Sequence, residues 1–267
     1  MNFLSTVAEE QRARVAALRP RRRELERSAD RRRGPSRDLA GALRAAARDG
    51  AVAVLAEVKR RSPSAGELAP IADPGALAID YASGGAAAIS VLTEKRHFLG
   101  SVADLARVRD CVRIPVLRKD FVVDELQLLE ARAYGADAVL LIAELCDEDA
   151  LARLVSVARE LGLGALVEAH EPEAFDRALA SGAEIVGINQ RDLRTLELDR
   201  TTLSRLAPRV PADRVLVAES GIAVAADVRM LPARVDAILV GTALVGSPDS
   251  RRLVRELRDA RRVEVSP

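Results

Sequence analysis

Of the chain's 41 basic residues only three are lysine: Lys59, Lys95 and Lys119. Arginine stays protonated under almost all conditions, whereas a lysine can be tuned to release and retake a proton. Positions where arginine is not used are therefore candidates for proton chemistry. Acidic and amide groups stand near two of them or at similar places along the chain: Glu57-Val58-Lys59, Lys119-Asp120, Glu168, Asn189-Gln190-Arg191 and Glu219-Ser220-Gly221. Asn189 is one of only two asparagines, the other being Asn2. Glu57 and Lys59 flank Val58, so in an extended segment they share one face. Lysines and glutamates gathered in one place suit general acid–base work on a substrate. Ser220-Gly221-Ile222 and Gly241-Thr242 offer something else: small residues whose backbone N–H groups can approach an anion such as a phosphate.

The elements that must bring these groups together recur regularly. Short apolar runs occupy residues 52–58, 87–92, 116–119, 138–142, 165–168, 185–188, 215–218 and 237–240. Segments of helical character lie between several of them, at 124–134, 147–161, 172–180 and 223–230. Gly135-Ala136-Asp137 and Gly182-Ala183-Glu184 read as a helix-ending glycine followed by a tight turn into a strand; Val235-Asp236-Ala237 is a looser variant. Continuous apolar strands alternating with helices imply a parallel sheet covered on both faces. Eight such units close into a (β/α)₈ barrel, which takes about 250 residues. An open doubly wound sheet is the competing architecture, but the Gly-rich fingerprint expected after its first strand is replaced by Lys59-Arg60-Arg61-Ser62-Pro63-Ser64.

Residues 1–49 precede the first run and read as a helical extension that covers part of the barrel. Leu4, Val7, Val15 and Leu18 form its apolar stripe, and Gly34-Pro35 separates two helical pieces. The expected organisation is a single domain over 1–267, with the extension at 1–49 and the barrel at 50–267. In a barrel, chemistry collects at the C-terminal strand ends. All three lysines fall there, as do Glu57, Glu168, Asn189, Glu219 and the two small-residue turns.

Composition excludes several classes of function. The formal net charge is +1, so no general affinity for nucleic acid is expected. The dense arginines from Arg19 to Arg33 are interrupted by Glu24, Glu26 and Asp30 and lack aromatic platforms for bases; they read as a solvated face. No apolar run reaches the roughly 18 residues of a membrane span, and no secretory leader is evident, so a cytoplasmic location is expected. Cys111 and Cys146 are isolated and read as buried apolar residues rather than a disulfide or zinc site. His97 and His170 read as loop or packing residues, and no metal site is expected.

The stretches AEVKRRSPSAG (56–66), ISVLTEKRHFLGS (89–101), PVLRKDFVVDELQLLEARAYGADAVLLI (115–142), LVEAH (166–170), GINQRDL (187–193), VAESGI (217–222) and LVGTAL (239–244) resemble indole-3-glycerol-phosphate synthase in order and spacing. The resemblance runs from about residue 50 to the C-terminus, and the helical extension fits it. It implies a carboxy-lyase of tryptophan biosynthesis acting on a phosphorylated small molecule, 1-(2-carboxyphenylamino)-1-deoxyribulose 5-phosphate, with no cofactor and no metal. It implies that Lys119 is the general acid of ring closure and Glu168 an acid/base group of the later dehydration. Lys59 contacts substrate and Glu57 is its carboxylate neighbour. Asn189 and Glu219 line the site, and Arg191 pairs with Glu219. Ser62, Ser220, Gly221, Gly241 and Thr242 match phosphate and loop positions, while Pro63 and Phe98 match apolar surfaces for the anthranilate ring. Ala65, Gln190 and Arg61 depart from the residues usual there. A monomer or weak homodimer is expected, without membrane or nucleic-acid partners. Phosphoribosylanthranilate isomerase, a related phosphate-binding barrel, would want a Cys/Asp pair at strand ends, which Cys111 and Cys146 do not supply. A catalytically silent binding or scaffold barrel would be expected to have lost part of the charged set.

Overall fold

In a parallel strand covered on both faces, successive side chains point alternately into the barrel and out toward the helices, so both sets must be apolar. The computed structural model, which describes residues 2–32, 36–47 and 50–260, has that arrangement. Its strands are β1 (Ala53–Val58), β2 (Arg61–Ser62), β3 (Gly66–Glu67), β4 (Ala88–Leu92), β5 (Val116–Lys119), β6 (Ala138–Ile142), β7 (Gly164–Ala169), β8 (Ile185–Asn189), β9 (Val215–Glu219) and β10 (Ala237–Val240). Eight of them close a parallel barrel in the order β1-β10-β9-β8-β7-β6-β5-β4, with β4 returning to β1. The chain therefore has the predicted TIM-barrel fold. Each predicted run matches a strand to within a residue at either end. The hairpin β2–β3 in the loop after β1 was not anticipated.

Two apolar sets follow from the alternation. Ala53, Leu55, Leu117, Leu140, Leu166, Ile185, Val215, Val217 and Leu239 fill the barrel interior. Val54, Ala56, Val139, Leu141, Val167, Val186, Leu216 and Ile238 face the helices. Those helices are α4 (Pro74–Gly84), α5 (Val102–Cys111), α6 (Glu125–Ala133), α7 (Glu148–Glu160), α8 (Pro172–Ala180), α9 (Thr201–Leu206), α10 (Ala225–Arg229), α11 (Thr242–Val245) and α12 (Ser250–Asp259). The turns enter strands as expected. Gly135 has φ +88° and Gly182 φ +78°. Asp137 then accepts from Val116 N at 3.0 Å and Arg37 N at 2.8 Å, which ties one strand start to the next.

The N-terminal extension contributes α1 (Phe3–Leu18), α2 (Arg22–Arg31) and α3 (Leu39–Ala46). The Gly34-Pro35 break lies outside the described residues. Leu4 and Val7 join the interior cluster beside Phe121, and Val15 and Leu18 pack on Leu126 of α6, so the predicted stripe is buried. At the other end Leu39 and Leu43 of α3 join the same cluster; Leu39 lies 3.9 Å from where a Cβ on Gly164 would sit. Arg21, Arg22 and Arg23 are exposed, and Arg21 pairs with Glu24 at 2.7 Å, in keeping with a solvated face. Cys111 and Cys146 are free and only half-buried, less enclosed than expected, because each sits at a helix or turn end rather than on a packed face. Among the described residues, no helix is long and apolar enough to cross a membrane.

One charged group breaks the outward apolar set. Arg118 points outward from β5 and is fully buried. Its guanidinium donates to Asp120 at 2.8 Å, Glu130 at 2.7 Å, the Gln127 carbonyl at 2.9 Å and Thr93 at 3.0 Å. Arg14 of α1 adds a bond to Glu130 at 2.5 Å. Burial of so many charges is tolerable only because each is paired.

Candidate active site

The period of two also decides which polar side chains reach the barrel mouth. Glu57 follows Ala53 and Leu55, Lys119 follows Leu117, and Glu168 follows Leu166. Asn189 follows Ile185, and Glu219 follows Val215 and Val217. Each is thus the last inward residue of its strand, and Asn189 and Glu219 are register partners. They open onto a cavity of about 520 Å³ that is also lined by Lys59, Ser62, Pro63, Phe98, Arg191, Ser220, Gly221, Gly241 and Thr242. Every site residue expected from sequence lines it, and its volume suits a small-molecule ligand.

Two charged groups face one another across the mouth. Lys59 Nζ lies 2.7 Å from Glu57. Lys119 Nζ donates to Glu219 Oε2 at 2.5 Å and to Glu168 Oε2 at 3.2 Å. Burial alone would lower the Lys119 ammonium, but the charges of Glu168, Glu219 and Glu57 outweigh it and hold the cation well above its ordinary range. Burial would likewise raise Glu168. The Lys119 charge and the Asn189 amide, which donates at 2.7 Å, keep it low. Glu219 goes the other way: burial and the neighbouring Glu168 push it up to about 8 despite Lys119. Its Oε1 is buried with no hydrogen-bond partner, a further cost to the ionised form. The Lys119 ammonium thus contacts two carboxyls whose proton affinities are pushed in opposite directions, Glu168 down and Glu219 up.

Two glycines make the room. A Cβ on Gly187 would lie 2.4 Å from Glu219 Oε1, and one on Gly241 would lie 2.3 Å from Glu57 Oε1. Gly187→Ala should therefore displace the Glu219 carboxyl rather than the strand. Turnover should fall on the order of 10²-fold, the scale of a misplaced catalytic group, with the melting temperature little changed. Steady-state kinetics beside a thermal melt checks this; unchanged turnover refutes it.

The turn after β9 lies beside the cavity with two residues in the left-handed region. Ser220 has φ +66° and Gly221 φ +75°. The first is uncommon for a residue with a Cβ and is held by Gln190, whose side-chain amide donates to the Ser220 carbonyl at 2.7 Å. The departure at Gln190 thus has a structural use. After β10, Gly241 and Thr242 lead into α11, beside the same cavity.

One expectation fails. Arg191 does not pair with Glu219. Lys119 occupies that carboxylate, and Arg191 turns back on its own loop to donate to the Leu196 carbonyl at 2.7 Å. Lys95 is exposed on the loop after β4 and lines a separate groove with Glu10 and Arg14. His97 pairs with Glu10 at 2.7 Å and meets the Phe3 ring edge-on at 5.1 Å. His170 is less isolated than its sequence suggests: its ligand atoms and those of Glu171 and Asp192 lie within 4.8 Å of one another. Its Nδ1 is 2.7 Å from the Asn189 carbonyl, and Arg194 pairs with both carboxylates.

Sequence reading named Pro63 and Phe98 but missed the rest of the apolar wall. Phe121 lies 6.1 Å from Phe98 and 6.2 Å from Phe3, with Leu140, Ile142 and Leu239 completing the lining. The scarcity of aromatics was the available signal, since the chain has only four phenylalanines.

The model of the family "Indole-3-glycerol phosphate synthase" matches residues 4–257. The chain belongs to this family. It is 58% identical over 205 residues to an indole-3-glycerol phosphate synthase of a Nocardioides species, covering 76% of this chain and 79% of that protein. The namesake from Streptomyces griseus is 53% identical over 214 residues, covering 80% of each. That from Rhodococcus opacus is 49% identical over 227 residues, covering 85% and 83%. Among solved structures, thiamine phosphate pyrophosphorylase from Pyrococcus furiosus superposes with a TM-score of 0.58 at 21% identity, covering 79% of this chain and 95% of that one. At that identity the likeness concerns the barrel alone.

Proposed function

We propose that the cavity converts 1-(2-carboxyphenylamino)-1-deoxyribulose 5-phosphate to indole-3-glycerol phosphate, CO₂ and water, the activity carried by the family name. The observation that supports this most is the convergence of Lys59–Glu57 and Lys119–Glu168–Glu219 on one apolar-walled cavity whose rim has phosphate-type turns. The anthranilate ring packs among Phe98, Phe121 and Pro63. The phosphate sits against the backbone of Ser220, Gly221, Gly241 and Thr242, with Ser62 on the loop above. Lys59 contacts the substrate and is steadied by Glu57, while Asn189 and Arg191 line the path between the two ends.

In the first step the ring carbon bearing the carboxylate attacks the ketone carbon. A C–C bond forms and the carbonyl electron pair moves to oxygen. The Lys119 ammonium stabilises that oxygen and protonates it. The C–CO₂ bond then breaks, and its electrons restore the aromatic ring. Last, the new hydroxyl leaves as water with a delivered proton, and a base removes a proton from the ring system; Glu168 takes part in this step. These residue types supply the proton movements themselves. Residues 1–267 act as one domain, the extension serving the barrel, and the protein works in the cytoplasm as a monomer or weak homodimer.

The test is a fluorescence assay for indole-3-glycerol phosphate formation by the purified chain. Turnover is expected; none under saturating substrate sinks the reading. The pH profile adds a second check. Glu219 ionises at about 8 in the folded chain against 4.5 ordinarily. The folded state thus binds more protons between those values, and this contribution to stability falls as pH rises through about 8. If its protonated form is the one that binds substrate productively, kcat/KM should fall as pH rises through about 8, and Glu219→Gln, a permanent mimic of that form, should keep activity near pH 7 and lose this fall. An identical limb in both proteins removes Glu219 from that role.

A further inference from the structure

Four cations line the cavity: Lys59, Lys119, Arg191 and Arg200. The two lysines are held by Glu57, Glu168 and Glu219, carboxylates of the same cavity. Arg191 is committed to the Leu196 carbonyl. Arg200 differs, because its partner lies outside the lining. Its Nη1 donates to Asp227 Oδ1 at 3.2 Å, and its side chain is 62% exposed. An ion pair so exposed holds a guanidinium weakly.

The surroundings station Arg200 at one end of the cavity. Asp227 Oδ2 accepts from Ala223 N at 2.9 Å and Val224 N at 3.1 Å. The carboxylate that holds Arg200 therefore also holds the loop following Ser220 and Gly221. On the other side, Leu198 methyls come within 3.3 Å of a Cβ position on Gly221. Asp199 N donates to the Gln190 carbonyl at 2.7 Å, and Gln190 in turn donates to the Ser220 carbonyl at 2.7 Å. Arg200 is tethered from both directions beside the small-residue turn.

Charge points the same way. Of the lining carboxylates, Glu57, Glu168 and Glu219 face the two lysines, and Asp120 is taken by Arg118. Arg191 and Arg200 are the lining cations that no lining carboxylate holds, and Arg200 is the one whose side chain is mostly exposed to an incoming polyanion. We propose that Arg200 is a further substrate-binding residue: its guanidinium leaves Asp227 and takes the phosphate at the Ser220–Gly221 end, where its planar fork suits two phosphate oxygens. This rests on the cavity's assignment to the phosphorylated substrate.

The experiment compares Arg200→Ala and Arg200→Lys with wild type in steady-state kinetics, with inorganic phosphate and anthranilate as competitive inhibitors. Arg200→Ala should raise KM and the phosphate inhibition constant about tenfold, the low end for a charge-assisted hydrogen bond at an exposed rim. The anthranilate constant should stay within about twofold, and kcat within about threefold. Lysine should recover part of the loss, and the difference should shrink at high salt. A KM and phosphate constant within twofold of wild type overturn the proposal, as does an equal rise for phosphate and anthranilate. If wild type turns nothing over, the functional reading fails on its own. Thermal-shift titration with inorganic phosphate then still decides whether Arg200 binds it.

Discussion

Lys119→Ala is expected to lower kcat on the order of 10³-fold, about 4 kcal/mol of transition-state stabilisation. Two losses combine in it. The developing alkoxide loses its cation, and its proton has no donor. The variant also leaves Glu168 and Glu219 facing one another without Nζ, which lay 3.2 and 2.5 Å from them. Their pKa values should then rise, because two buried carboxylates cannot both ionise in contact. Lys119→Arg separates the contributions: arginine restores positive charge but is a poor proton donor, so it should recover only a minor part of the rate. Single-turnover fluorescence of product formation measures both variants. Turnover by Lys119→Ala within tenfold of wild type would remove this residue from the chemistry.

Arg118→Ala should cost about 3–5 kcal/mol of stability, the scale for breaking a buried ion network from one side. The guanidinium makes four hydrogen bonds in a fully buried position. Its loss strands Asp120 and Glu130, with only the half-exposed Arg14 to serve both. For a chain of this size the melting temperature should drop by about 10 °C. Arg14→Ala should cost much less, since its side chain is 32% exposed and Arg118 remains. Thermal melts of the two variants side by side decide the matter, and equal small shifts would mean that Arg118 is not the keystone of this network. Arg118 and Asp120 also flank Lys119 in sequence, so Arg118→Ala should reduce turnover below its melting range.

Much of the barrel was legible because its determinants are local. A run such as 138–142 is apolar at every position, which only a strand covered on both faces requires, and Gly135 and Gly182 mark αβ turns by their need for positive φ. The hairpin β2–β3 was not legible, since two residues on each side carry no periodic signal. Phe3 and Phe121 were missed for a different reason. They are 118 residues apart in number yet 6.2 Å apart in space, and nothing local ties an N-terminal helix to the end of β5.

What the sequence by itself determined about this protein is its strand ends. Continuous apolar runs that end in a polar residue placed Lys119, Glu168, Asn189 and Glu219 at the C-terminal rim of the barrel. Scarcity made Lys59 and Lys119 conspicuous. Only the tertiary structure decided the pairing. Arg191 was expected on Glu219, but the strand register and the missing Cβ of Gly187 bring that carboxyl to Lys119 instead. A side-chain partner depends on distances across the barrel, and no local pattern encodes those. The same holds for proton affinity: Glu168 and Glu219 are the same residue type, and burial, Lys119, Asn189 and their contact with each other push one down and the other up.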